Sequence, residues 1–165
     1  MSPCRQAGPL RRQRGSIYVG MLLLVAVLGL GLLKTGAVLA TQQLREREAA
    51  LLVVGEQFRA AIVSYYESGP GGRYPSTLGD LVEDVRTGRP VRHLRRIYAD
   101  PLTGSPEWGL VPGPDGTIMG IYSLAPGKPL KQRNFPPGCD AFNDKQSYGE
   151  WIFIDHRRPF GEGGG

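Results

Sequence analysis

The side chains able to do chemistry in this chain are few and far apart. His93 lies in an arginine-rich stretch, and His156 lies in the polar run His156-Arg157-Arg158-Pro159. General acid–base work needs a carboxylate or a nucleophile held beside such an imidazole, and neither histidine has one at a motif spacing. No phosphate-cradling glycine loop, HExxH or GxSxG pattern occurs. Asp100 and Asp155 form a carboxylate pair only if the fold brings them together. Two cysteines, Cys4 and Cys139, make no disulfide framework and no CxxC metal site. The expectation is a chain that is not an enzyme and acts through what its elements assemble with.

Those elements are organised around one apolar segment. From Ile17 to Leu33 there are 17 residues without a charge; Lys34 interrupts, and Thr35 to Ala40 resume the apolar character. A helix needs roughly 20 apolar residues, at about 1.5 Å each, to cross a bilayer. The charge pattern gives the segment an orientation. The chain of 165 residues carries a formal net charge of +5, of which Arg5, Arg11, Arg12 and Arg14 supply +4 within the first 15 residues, leaving +1 beyond. Arginines beside an apolar helix stay in the cytoplasm and the chain beyond is exported. Nucleic-acid binding is therefore rejected as the main function. The smaller cluster Arg89, Arg92, His93, Arg95 and Arg96 reads as a solvated surface. Cys4 and Cys139 fall on opposite sides of the membrane, so they cannot pair; Cys139 is either buried or open to a partner chain.

Two readings of the amino terminus stand on residues alone. Val38-Leu39-Ala40 offers small residues for a secretory signal cut. An uncut anchor would hold an outer domain on a single helix. Past Ala40 the helical period continues: Leu44, Leu51, Val54, Phe58, Ile62 and Tyr65 share one face, while Arg45, Glu46, Arg47, Glu48, Glu56, Gln57 and Arg59 occupy much of the rest. No proline occurs from Ser16 to Glu67, and Gly69-Pro70-Gly71-Gly72 ends the pattern. One continuous helix of about 50 residues, roughly 75 Å long, is expected; a break near Gly36 or Gly55 is the alternative. Beyond Gly72 the expected strands are Trp108–Val111, Thr117–Leu124 and Glu150–Asp155, with helical or turn pieces at Pro75–Val85 and Val91–Ile97. A long helix on a small antiparallel sheet is an α+β arrangement.

Arg14-Gly15-Ser16-Ile17-Tyr18-Val19, followed by Gly20-Met21-Leu22-Leu23-Leu24-Val25, resembles the leader and helix start of type IV pilins and the related pseudopilins. The resemblance implies cleavage by prepilin peptidase between Gly15 and Ser16, with N-methylation of Ser16. Glycine suits a bond that must be reached in extended backbone, and a serine after it can cap the helix. Ser16 stands where the family usually has phenylalanine, and Gly20 where it usually has a glutamate that pairs with the amino group of a neighbouring subunit. A buried ammonium without a partner is costly, so Gly20 shifts the expected role away from a main self-assembling subunit. Gly20, Gly29, Gly31 and Gly36 are expected to permit close helix packing.

A second region carries the resemblance further, toward the major pseudopilin of type II secretion systems. Tyr74-Pro75, Leu78 and Leu81, Tyr98-Ala99-Asp100-Pro101-Leu102-Thr103-Gly104, Glu107-Trp108-Gly109-Leu110-Val111 and Ile121-Tyr122-Ser123-Leu124 follow in the family's order. The match spans about residues 11 to 125, with a further match near Tyr148 to Trp151. It implies a pilin-like fold: leader 1–15, transmembrane half 16–40, amphipathic half 41–68, and a small periplasmic α+β domain 69–165 with a disordered tail at 157–165. It also implies calcium as the cofactor to consider, on the oxygens of Asp140, Asn143 and Asp144; solvated turn acids are the competing reading of those residues. The implied partners are the Gram-negative inner membrane, prepilin peptidase, other pseudopilins and inner-membrane secretion components. A membrane-anchored periplasmic binding domain that never enters a filament is the alternative.

Overall fold

The computed structural model describes the backbone of residues 14–155 and, within that span, all side chains except those of 14–16 and 28–38. The leader through residue 13, with Cys4, and residues 156–165, with His156, lie outside the described residues. The same holds for what surrounds Gly29, Gly31 and Gly36.

One helix, α1, runs from Arg14 to Ser68 without interruption. It spans neither of the breaks considered for it: Gly36 and Gly55 both lie in continuous helix. Gly15 and Ser16 lie in helical backbone at the edge of the described residues. By its contacts the chain divides into two units, Met1–Gln42 and Gln43–Gly165.

In the first unit the described side chains from Ile17 to Val27 are exposed, from 58% at Val19 to 76% at Ile17. No helix of the described residues is long and apolar enough to cross a membrane; the expected span over 16–40 runs through 28–38, whose side chains are not among those described.

In the second unit α1 continues to Ser68, where Gly71 and Gly72 take positive φ (79° and 58°) and turn the chain away. Three short strands follow, β1 (Gly109–Pro112), β2 (Ile118–Tyr122) and β3 (Phe153–Ile154), as an antiparallel sheet in the order β1-β2-β3. Gly109 pairs with Tyr122 and Val111 with Gly120, before a bulge at Val111/Pro112; Ile121 pairs with Phe153. The α+β expectation holds at this level; β2 and β3 are shorter than the sequence suggests, and β1 has the expected length shifted by one residue. β2 ends at Tyr122, and the Ser123 hydroxyl just past it donates to Asp100 at 2.6 Å. Tyr148–Glu150 form a single 3-10 turn, closed by the Ser147/Glu150 capping box, instead of opening β3. A second capping box, Thr77 with Asp80, starts the turn Leu78–Leu81. Residues 91–97 make no helix: Val91 bridges Asp84, and the amides of His93 and Leu94 both donate to the Leu81 carbonyl, at 3.0 and 2.8 Å.

The apolar stripe of α1 is the floor of the core. Leu51, Phe58 and Ile62 are wholly buried, and they share a cluster with Trp108, Ile121, Phe142, Trp151 and Phe153. Phe142 and Trp151 stack at 5.7 Å with 9° between ring planes, and Phe58 meets Trp108 at 5.2 Å. Removing a ring of this size from water stabilises the fold by about 1.5–3 kcal/mol. Two stripe positions hold residues that are not large and apolar. Gly55 lies under Phe153, whose ring is 2.4 Å from where a Cβ would stand. Glu48 is the other.

Candidate functional site

Glu48 was expected among the polar face of α1; it is 1% exposed. Its carboxylate accepts the amides of Leu130 and Lys131 at 2.6 and 3.0 Å and the Tyr148 hydroxyl at 2.7 Å. A buried carboxylate is tolerable only with such a set of donors, and these three come from residues some 80 to 100 positions away. Burial, with Glu48 alongside, pushes the Tyr148 phenol well up, so it stays a donor throughout the ordinary pH range. The arrangement latches the late loop and the Tyr148–Glu150 turn onto the helix.

A second buried polar group joins the other end of the helix to the 84–97 loop. The Arg86 guanidinium holds Asp84 well below the usual carboxylate range, donating to Oδ1 and Oδ2 at 2.9 and 2.7 Å. The same guanidinium donates to the Tyr65 carbonyl at 2.7 Å and lies 3.4 Å over the Tyr65 ring. His93, whose side chain is 2% exposed, meets Asp84 Oδ2 through Nε2 at 3.3 Å and Ser64 Oγ through Nδ1 at 2.8 Å. His93 has neither a carboxylate nor a nucleophile at motif spacing; the fold supplies both. Ser64 sits inside α1, where the neighbouring amides belong to the helical ladder. Its geometry suits a tether.

The remaining candidates stand apart from these two groups. Asp100 is buried, but its carboxylate is occupied by Ser123 and by the Leu102 amide at 2.8 Å, which closes the Asp100-Pro101 turn. Asp155 is buried just past β3. Cys139 is 1% exposed, and of the two readings left for it the buried one is correct. Burial, with the Glu56 carboxylate at 3.4 Å, pushes its thiol up to about 12, which leaves no nucleophilic thiolate near neutral pH.

Asp140 and Asn143 bracket a single 3-10 turn, with the Asn143 amide donating to the Asp140 carbonyl at 2.7 Å. Asp144, at φ 57°, faces the Arg133 guanidinium at 3.4 Å on the surface. Among the described residues no group of three or more His, Cys, Asp or Glu is placed to hold a metal ion. The side chains of Gly15 and Ser16's surroundings are outside the description, but their backbone is helical. Gly20 lies on the exposed part of α1, with nothing within 4 Å of an added Cβ.

Comparison with protein-family models, with characterised proteins and with solved structures returned no match.

Proposed function

We propose that the chain is a pseudopilin-like subunit of a type II secretion or type IV pilus-like apparatus. In this reading prepilin peptidase cuts after Gly15 and methylates the Ser16 nitrogen. Residues 16–40 hold the subunit in the inner membrane of a Gram-negative bacterium, and the unit from Gln43 onward stands in the periplasm. The observation that carries it is the division of one continuous helix. Behind a basic leader ending in glycine, α1 presents exposed apolar side chains over Ile17–Val27 and then a buried stripe that seats a small antiparallel sheet. Exposed leucines and valines in such numbers need lipid or another helix around them. Assembly moves them from lipid into a helix bundle, where packing and close approach at small residues supply the drive. The role is scaffolding, with no catalytic step assigned to the chain.

Cleavage requires the helical backbone at Gly15 to open, and glycine is the residue for which an open backbone is least restricted. Mass spectrometry of the protein purified from a prepilin-peptidase-positive host tests the reading. A mature chain beginning at N-methylated Ser16 is expected, and Gly15→Ala should leave the leader attached. An intact Met1 or a start at Thr41 would overturn it. The absence of a glutamate at Gly20 favours one other reading, a periplasmic domain on a single uncut anchor, and an intact Met1 is its signature.

A further inference from the structure

The loop from Arg86 to Ile97 contains five arginines, and the sequence from Val85 to Ala99 has no acid. Its two flanking acids are withdrawn from the surface: Asp84 is bound by Arg86 and His93, and Asp100 by Ser123. Arg89, Arg92, Arg95 and Arg96 are all exposed, and among the described residues no carboxylate pairs with any of them. A flexible arginine-rich loop would be an ordinary solvated surface. This loop is held at alternate points. Val91 bridges Asp84, Leu94 is 4% exposed, and the His93 ring is fixed between Ser64 and Asp84. These contacts pin the backbone, and the outward residues display guanidiniums from it, so little backbone entropy remains to be lost on binding.

Beside this frame lies a groove of about 580 Å³ between α1 and the loop, with small residues Ala60 and Ala61 along the helix and Gln57, Ser64, Arg95 and Tyr98 presenting polar atoms. We propose that this groove and the arginines beside it form a docking surface for an acidic, extended segment of a partner protein. The planar guanidinium fork matches carboxylates two oxygens at a time. The groove offers a short chain the exposed Ala60 to lie against and the side chains of Gln57 and Arg95 as hydrogen-bonding groups. A nucleic acid fits the same charge less well. Single strands bind by stacking bases on open aromatic faces, and Tyr98, the aromatic side chain of the groove, already carries the Arg96 guanidinium 5.2 Å over its ring. The proposal does not depend on cleavage at Gly15 and survives if the subunit is a plain anchored domain.

Fluorescence anisotropy on the full chain in detergent micelles, with a labelled hexaglutamate peptide as probe at low salt, tests it. Binding is expected for the unaltered chain, and Arg92→Glu with Arg95→Glu should weaken it about tenfold or more. Arg45→Glu with Arg47→Glu makes the same change of net charge elsewhere and should leave binding within about twofold. Thermal melts matching the unaltered protein show that both pairs fold. No binding of the peptide, or equal loss in the two pairs, overturns the proposal. So does a thymidine hexanucleotide that binds more tightly than the peptide through the same two arginines, since it would reassign the surface to nucleic acid.

Discussion

The two stretches of α1 on either side of Gln42 and Gln43 are one helix by backbone and two different solutions by side chain. From Ile17 to Val27 the described side chains are apolar and exposed. From Glu48 to Tyr65 the helix buries a stripe and ties even its charged residue into the fold. A helix apolar on all sides has no interior of its own making and needs a surrounding phase or partner. The second stretch has its partners within the same chain. Stability of the unit Gln43–Gly165 should therefore be sensitive to changes in the second stretch and indifferent to changes in the first.

The largest effect is expected where the second stretch is most committed. Glu48→Ala removes the acceptor of two amides and a hydroxyl, all partly or wholly buried. Each stranded donor costs about 1–3 kcal/mol, so chemical denaturation of the full chain in micelles should show a loss of about 3 kcal/mol or more. Tyr148→Phe leaves the two amide contacts and should cost about 1 kcal/mol. A Glu48→Ala protein as stable as the original would remove the latch from this account.

A smaller contrast comes from two glycines, one in each stretch. At Gly55 an added Cβ would stand 2.4 Å from the Phe153 ring, and the ring is wholly buried with no room to retreat. Gly55→Ala should destabilise the unit by about 1–3 kcal/mol through overpacking. Gly20→Ala meets nothing within 4 Å, and it replaces a poor helix former with the best one, a gain of up to about 1 kcal/mol in local helix stability. The unit Gln43–Gly165 should melt unchanged. Equal responses at the two glycines would erase the difference between the stretches.

What the sequence made legible follows from the range of its signals. The stripe Leu51, Val54, Phe58, Ile62 and Tyr65, the end at Gly69-Pro70, and the three strand centres are local patterns, and they are where the fold puts them. Glu48 and Gly55 fall outside a stripe drawn from large apolar residues alone. Leu44, Glu48, Leu51, Gly55, Phe58, Ile62 and Tyr65 step by alternating intervals of 4 and 3, so both residues fill holes in the heptad-like period, and the period was the available signal. His93 offered none. Its partners Ser64 and Asp84 lie 29 and 9 positions away, and an arginine-rich neighbourhood ordinarily marks a solvated loop.

Acid titration tests the unit from Gln43 onward at a loop residue outside α1. Asp84 is 2% exposed, and its carboxyl is held well below the usual range first by Arg86, then by the Arg86 amide and His93. In the unfolded chain an aspartate titrates near about 3.9. A carboxyl that is more acidic when folded contributes stability that is fully present above that value and is lost as pH falls toward its folded value. Between about pH 4 and pH 2 this one group removes up to about 1.4 kcal/mol per pH unit. Asp84→Asn should lower stability at pH 7, where the arginine and histidine lose their charged partner, and should flatten the acid limb measured by urea unfolding at pH 7, 4 and 3. A limb equally steep in Asp84→Asn would overturn the assignment of this acid sensitivity to the Asp84–Arg86 pair, which lies in the unit from Gln43 onward.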